Sequence, residues 1–537
     1  MGKIGLLVLT NPLKITRLLP SICEHVRGTL YVQYLPLGCG KKLSYPQSLE
    51  DNVKILHYSS VINEVYSHTA TLQDLDVRVL MHSLKHPESG NIRTKKPIEV
   101  VIFDQVFSKD EINRFVKDCV STSTVDCNVV TNELNSTLLP SALNFESTED
   151  FKTYDNVVLG GTFDGLHNGH KILLSEAVLR CNKRITVGVT DMAMIKSKVL
   201  WELIEPCSQR ISSVEDFLQD VDPSLHYSVV PIDDPFGPTK EDPSFEMIVV
   251  SAETQRGGLK VNELRARLGL PRLDVHTVQL LETDRPAEEE EEKKLSSSNR
   301  RLRLLGTRLR TPPPRPDLPA RPYVVGLTGG IASGKSSLSG HLRALGAGVV
   351  ECDALAHGLY APGRPLHGAL AAAFGRGVLG PGGEVDRKAL GAVVFRDQGQ
   401  LARLNVLVWP ELRTAARRRA EELSGAGHRV VVVEAAVLLQ AGWEADCHEV
   451  WGCIVSPEEA VRRLRERDGL TEEEACRRLA AQPSNTEVVA RSHVVFSPAW
   501  SVAFTRTQAQ RAWAQLLREQ PSLASPPPGG RTTTTQQ

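Results

Sequence analysis

Two rhythms of apolar and polar positions alternate along this chain. Short β-rich runs at Ile4–Thr10, Thr29–Leu35, Val77–Met81 and Ile98–Phe103 predict buried strands, and the amphipathic segment Glu111–Val120 predicts a helix. The alternation continues with strands at Val157–Leu159, Ile185–Thr190, Met247–Val250 and Val275–Leu281, and helices at His170–Arg180 and Ser213–Val221. A third stretch opens with the strand Tyr323–Thr328, followed by the helix Lys335–Leu345, the strand Gly348–Glu351 and the β-branched run Val430–Val433. Strands that alternate with helices predict parallel sheets layered with helices, an α/β architecture throughout.

Breaks in the pattern divide the chain. An acidic-then-basic run, Glu288–Lys294, precedes TPPPRPDLPARP, so residues 284–321 read as a charged and Pro-rich linker, with Ser296–Leu309 a short amphipathic helix inside it. The C-terminal residues 519–537 end in SPPPGGRTTTTQQ, which offers nothing to bury and predicts disorder. Three domains follow: 1–150, 151–283 and 322–518.

Composition narrows the partners. Of 537 residues, 41% are hydrophobic and 24% charged, and the formal net charge is −1, so nothing global attracts nucleic acid or an anionic membrane. The ten cysteines form no C-x-x-C pair and no cluster at metal-ligand spacing, which points to reduced thiols in the cytoplasm. No run approaches the roughly 18 apolar residues of a membrane span. The N-terminal LLVL run reads as a first strand, with peripheral membrane contact through this end, and association with mitochondria, left open. Residues 1–150 carry no catalytic constellation and read as an interaction or localisation module, whose removal would spare activity.

The strand YVVGLT runs into GGIASGKSS, in which Gly329, Gly334, Lys335 and Ser336 fit G-x-x-x-x-G-K-[ST] between a strand and a helix. In such a loop the backbone N–H groups of Gly330, Ile331, Ala332, Ser333 and Ser337 turn toward phosphate oxygens, with a helix N-terminus behind them. Lys335 would bridge the terminal phosphates of ATP and the Ser336 hydroxyl would complete a Mg²⁺ shell. The next strand ends at Cys352-Asp353; Asp353 suits either a general base for a substrate hydroxyl or the N-cap of a helix starting at Ala354. Val430–Val433 closes on Glu434, an acid that would stand behind the ligands of Mg²⁺ rather than bind it, and Arg463, Arg467 and Arg478 lie on two predicted helices.

GLTGGIASGKS, ECD, YAPG, GEVDRKALGAVVF and VVVVEAAVLLQAGW together resemble dephospho-coenzyme A kinases over about residues 322–518. The resemblance implies a P-loop kinase fold with a helical lid, phosphorylation of the ribose 3′-hydroxyl of dephospho-CoA by ATP with Mg²⁺, and Asp353 as base. It also implies lid roles for Arg463, Arg467 and Arg478, and places Arg387 near the CoA side. This chain departs from the family's pattern with Glu351 and Glu434 for Asp, Trp409 before Pro410, and Gln440 for an acid after the Leu pair.

In the middle block Val157–Leu159 leads into GGTFDGLHNGH. Gly160 and Gly161 predict a tight turn leaving the strand, Asn168 a helix N-cap, and His167 and His170 a pair at the helix start that would serve a polyphosphate. The string resembles the phosphopantetheine adenylyltransferase branch of the H-x-G-H nucleotidyltransferases, with His167 where bacterial enzymes often have Thr. That implies a Rossmann-like domain in which a phosphate of 4′-phosphopantetheine attacks ATP directly. Thr162 then orients the acceptor, Gly160, Phe163, His167 and His170 hold ATP, and Lys196 and Lys198 are either neutralising charges or solvated loop residues. VVSAETQRGG resembles the family's second nucleotide motif and implies ATP contacts from Ser251, Thr254 and Arg256.

The tandem order resembles that of the bifunctional coenzyme A synthases, with 4′-phosphopantetheine, dephospho-CoA and ATP as small-molecule partners. A nucleotide-binding scaffold, or an adenylyltransferase–kinase pair for another acceptor, would carry the same motifs. Oligomeric state is not written in the sequence.

Overall fold

The computed structural model describes residues 3–35, 43, 51–70, 72, 75–86, 90–132, 152–279, 296–394 and 397–524. These residues form two compact units, the first ending at Arg300 and the second beginning at Arg301. Among the described residues no helix is long and apolar enough to cross a membrane.

The first unit holds two parallel five-stranded sheets. One consists of β1 (Gly5–Leu9), β2 (Thr29–Tyr34), β3 (Asp76–Leu80), β4 (Ile98–Phe103) and β5 (Ser123–Thr131), ordered β3-β2-β1-β4-β5. The other consists of β6 (Tyr154–Gly161), β7 (Cys181–Thr190), β8 (His226–Ile232), β9 (Met247–Ser251) and β10 (Asp274–Val278), ordered β10-β9-β6-β7-β8. Counted within each domain the order is the same: third, second, first, fourth, fifth. In both, the chain reverses direction beside the first strand, the crevice where doubly wound folds take ligands.

The two sheets share one hydrophobic core. Leu7, Val32, Tyr66 and Val79 of the first domain belong to the same buried cluster as Ile172, Val178, Phe217 and Val249 of the second. The far face of the first sheet packs a core of its own around Tyr31, Phe103 and Phe115. The sequence pattern had placed β1 to β4 within a residue or two but missed the helices Ile15–His25 and Asp51–His68 and the strands β5 and β8. Both missed strands are sheet edges, and neither contains a fully buried residue to betray it.

The second unit is built on β11 (Tyr323–Gly329), β12 (Gly348–Glu351), β13 (Val430–Glu434), β14 (Glu449–Cys453) and β15 (Val494–Phe496), parallel and ordered β12-β13-β11-β14-β15. Its core gathers Val325, Leu327, Val432, Trp451 and Phe496 against Leu338, Leu342 and Leu516 from the helices.

Part of the expected linker is not a spacer. The helix runs over Ser297–Leu304. Beyond it Gly306 N–H donates to Val495 O (2.8 Å) and Leu309 N–H to His493 O (2.8 Å), adding an antiparallel edge beside β15. Arg308 pairs with the buried Glu449 and with Glu519 (2.7 Å), and Arg310 donates to the carbonyls of Val489 (2.6 Å) and Ser492 (2.7 Å). Arginines with buried partners, rather than apolar residues, hold this stretch, which is why its composition read as a linker. Packing also runs beyond residue 518, since Leu523 is buried in the same core; the rest of the expected tail lies outside the described residues.

Candidate functional site

The first site stands at the carboxyl edge of the second sheet. Gly160 and Gly161 do not make the expected turn: both are still in β6, paired with Gly188 and Val189. The turn comes later, at Phe163 and Gly165, each with φ of 50°. Gly161 instead lies in close approach to the core: a Cβ there would stand 3.1 Å from the Phe163 ring, which would have to yield by a few tenths of an ångström. Phe163 itself is fully buried and packs on His170 at 5.3 Å between ring centres, so its ring belongs to the core.

Thr162 is fixed from two sides. Its Oγ1 accepts from Thr190 Oγ1 (3.0 Å), and its carbonyl accepts from Arg210 Nη1 (2.7 Å), which also donates to Thr190 O (2.9 Å). Arg210 is 1% exposed and ties the ends of β6 and β7 together. The sequence reading missed it, because one arginine at the start of a helix carries no signal.

His167 precedes the helix Asn168–Arg180, and His170 lies in its first turn. Their rings stack at 3.7 Å between centres, 21° from parallel. Burial pushes both imidazoles down, His167 to about 3 and His170 well below the usual histidine range, and Arg300 beside them adds to it. Both rings are therefore neutral at pH 7. Each Nδ1 is buried without a hydrogen bond to any described residue, an arrangement that costs free energy unless a ligand supplies the partner. Asn168 is the first helical residue, not the cap; its amide donates to Tyr66 O (2.8 Å) and Thr69 Oγ1 (3.1 Å).

Two residues the sequence reading left in the linker join this loop. Ser297 Oγ donates to Asp164 O (3.2 Å) and lies 3.4 Å from His167 Nε2. Arg300 donates to Glu205 Oε1 (3.1 Å) and covers Gly165, where a Cβ would meet its guanidinium carbon at 2.0 Å. Lys196 and Lys198 are exposed on the turn after β7, and the Lys198 charge helps hold His170 neutral. Ser251 and Thr254 satisfy each other at the start of the following helix, with Ser251 N–H donating to Thr254 Oγ1 (3.0 Å). Arg256 is exposed one residue into the helix Gln255–Arg267.

The second site stands at the carboxyl edge of the third sheet, where β11 turns into the helix Lys335–Ala344. Gly329 has φ of 151°, and a Cβ there would lie 2.1 Å from Cys453 O; Gly334 has φ of 90° with Pro498 2.4 Å from its would-be Cβ. Ala332 is held left-handed at φ of 60°, and Ser333 is buried beneath the loop with its carbonyl accepting from Cys453 Sγ (3.0 Å). Lys335 Nζ donates to Gly329 O (3.0 Å) and Gly330 O (2.8 Å), and burial lowers its pKa.

Ser336 Oγ donates to Glu434 Oε1 (2.9 Å) and Ser339 Oγ to Oε2 (2.6 Å). Glu351 is in register with Glu434 at the strand ends and pairs with Arg343 (2.5 Å). Asp353 does not cap: the helix is Cys352–Leu359, its N-cap is Glu351, and Asp353 is exposed in the first turn. Ser337 is exposed beside Ser336, and Ile331 N–H donates to the Gln482 side chain.

The three arginines separate. Arg463 braces the loop, donating to Ala332 O (3.2 Å), Pro498 O (2.6 Å) and Glu459 Oε1 (2.7 Å). Arg467 is exposed and forks onto Asp468, while its charge reaches Lys335. Arg478 lies on the next helix, Glu472–Ala480. Arg387 begins the helix Arg387–Val394, and its side chain lies outside the described residues. Gln440 Nε2 donates to Ala481 O (3.2 Å), a bond that the acid it replaces would not make.

Known proteins match this chain in three consecutive pieces. Residues 3–139 match the COASY N-terminal domain, 158–303 the cytidylyltransferase-like family and 323–501 the dephospho-CoA kinase family. The dephospho-CoA kinase of Geobacter sulfurreducens is 42% identical over 192 residues, which is 36% of this chain and 98% of that protein. That of Symbiobacterium thermophilum is 40% identical over 190 residues, 35% of this chain and 80% of the relative. A solved structure from Thermus thermophilus is 34% identical, covering 37% of this chain and 98% of its own, with a TM-score of 0.32. The chain belongs to the dephospho-CoA kinase family, and the two domains ahead of its kinase give it the build of a bifunctional coenzyme A synthase.

Proposed function

We propose that the second domain transfers the adenylyl group of ATP to 4′-phosphopantetheine, and that the kinase unit phosphorylates the resulting dephospho-CoA at its ribose 3′-hydroxyl. The observation that carries the reading is the neutral, stacked pair His167 and His170, with unpaired nitrogens at the crevice, in a chain whose kinase half spans nearly the whole of its relatives.

In the first reaction an acceptor phosphate oxygen attacks the α-phosphorus as pyrophosphate leaves. His167 and His170 donate N–H groups to the polyphosphate, and Thr162, locked by Thr190 and Arg210, orients the acceptor. Arg300 and Lys198 stand beside the histidines as the cations for the growing charge, so catalysis is positioning and charge stabilisation. In the second reaction Asp353 accepts the proton of the ribose hydroxyl, Lys335 exchanges its two carbonyl partners for the terminal phosphates, and Arg467 closes over them.

ATP in this fold carries Mg²⁺, which neutralises phosphate charge. The hydroxyl of Ser336 and the carboxylate of Glu434, 2.9 Å apart, are a fitting pair of oxygen ligands. Glu434→Gln is expected to lower kinase turnover about 10²-fold and to weaken Mn²⁺ binding to the ATP-loaded protein in a paramagnetic titration. Unchanged Mn²⁺ affinity would remove Glu434 from the metal site.

The test of the whole reading is direct. Full-length protein with Mg-ATP and 4′-phosphopantetheine should yield coenzyme A by mass spectrometry. His170→Ala should lose adenylyl transfer by about 10²–10³-fold while still phosphorylating added dephospho-CoA. A wild-type chain that binds ATP and makes neither product would sink the proposal.

A further inference from the structure

The helix that starts at the two histidines is enclosed. Asn168 and every residue from Lys171 to Leu179 are buried, and part of that cover comes from the first domain, whose helix Asp51–His68 packs along it. Polar side chains cross the boundary at specific points. The Asn168 amide donates to Tyr66 O (2.8 Å) and Thr69 Oγ1 (3.1 Å), at the carboxyl end of that helix. Lys171 Nζ, 4% exposed, donates to Asp76 Oδ1 (2.7 Å) and Val77 O (3.0 Å) at the start of β3. Ser59 donates to Glu176 further along. Asn168 and Lys171 lie one turn apart on one face, and His170 sits between them in sequence.

The seat of Lys171 is itself anchored in the second domain. Asp76 also pairs with Arg78 (2.8 Å), and Arg78 reaches Asp216 (2.8 Å) and Asp220 (2.5 Å) on the helix Cys207–Val221. Tyr31 Oη donates to Asp220 as well (2.8 Å). This is the helix that carries Arg210, the residue that fixes Thr162. The helix that begins at the histidines and the helix that fixes Thr162 are thus both tied to the first domain by charged and polar side chains.

We infer that the N-terminal domain positions the catalytic helix of the adenylyltransferase, with Asn168 and Lys171 as positioning residues and Tyr66 O, Thr69 and Asp76 as their seats. The inference rests on the reading of His167 and His170 as polyphosphate ligands. Neither positioning residue faces the substrate; each sets where His170 stands, and displacement of a reacting group by about 1 Å costs about 10²-fold in rate.

The test uses the full chain, whose kinase reaction serves as an internal reference. Asn168→Ala and Lys171→Met should each lower kcat of adenylyl transfer by about 10–10²-fold, leave KM for 4′-phosphopantetheine within about twofold, and leave dephospho-CoA phosphorylation unchanged. Lys171→Arg, which keeps a cation against Asp76, should recover most of the loss. Variants with unchanged kcat would overturn the inference, as would a loss carried by KM or shared equally by Lys171→Arg. Wild-type protein that makes no dephospho-CoA would overturn the adenylyl-transfer reading and this inference together, which distinguishes the two failures.

Discussion

Lys335→Ala should stop the chain at dephospho-CoA. Lys335 is 9% exposed and its ammonium rests on Gly329 O and Gly330 O, so it is already at the loop before nucleotide arrives. The neighbouring arginines are otherwise engaged: Arg463 is committed to Ala332 O and Pro498 O, and Arg467 to Asp468. Removing it leaves the charge that develops on the transferring phosphoryl group without its nearest cation. One such electrostatic contact is worth about 10²–10³ in turnover. Lys335→Arg should not rescue, because a planar fork cannot occupy a seat made by two carbonyls for a point charge. Product analysis should show dephospho-CoA accumulating at the wild-type rate of adenylyl transfer. Coenzyme A formed within about tenfold of wild type would contradict the assignment.

Removal of residues 1–150 should disable the adenylyltransferase and spare the kinase. This reverses what the sequence suggested, since a block without a catalytic motif read as dispensable. The structure gives it a different standing. Deletion would strip the cover from Ile172 and Val178 in the shared core and leave Lys171, Asp216 and Asp220 without Asp76 and Arg78. A buried ion left without its partner costs about 3–5 kcal/mol, against a total stability of about 5–15 kcal/mol for a domain. Expression of residues 151–537 should therefore give aggregated or proteolysed adenylyltransferase, with dephospho-CoA phosphorylation surviving in whatever remains soluble. A soluble fragment with full adenylyl transfer would show the first domain to be an accessory after all.

What the sequence disclosed and what it concealed follow from the range of the interactions. Lys335, Ser336 and the glycines of the phosphate loop, like His167 and His170, are local: a strand, a turn and a helix start put them together within a dozen residues. Glu434 was legible because an apolar β-branched strand ended on an acid. Arg210, Ser297 and Arg300 were not, since each reaches its site across 40 residues or more of sequence. Asn168 was misread for a subtler reason. A cap and a first helical residue look alike in sequence, and only its buried partners, Tyr66 and Thr69, show which it is. The first domain was opaque because its contribution lies in what it touches, not in a motif of its own.

The repeated strand order has a consequence for stoichiometry. In the second sheet the crevice beside the first strand presents Thr162 and two imidazoles whose Nδ1 atoms have no hydrogen-bond partner among the described residues. In the first sheet the equivalent crevice, beside Thr10, is filled. The N–H groups of Thr10 (2.8 Å) and Asn11 (3.2 Å), and the Thr10 hydroxyl, all donate to the Asp104 carboxylate, with Lys14 buried 3.4 Å from it. The donors that a phosphate would need are spent on an internal anion, and a second anion would meet its repulsion. A chain with three doubly wound sheets is therefore expected to saturate at two nucleotides per polypeptide in an equilibrium titration, with the first sheet contributing no third site.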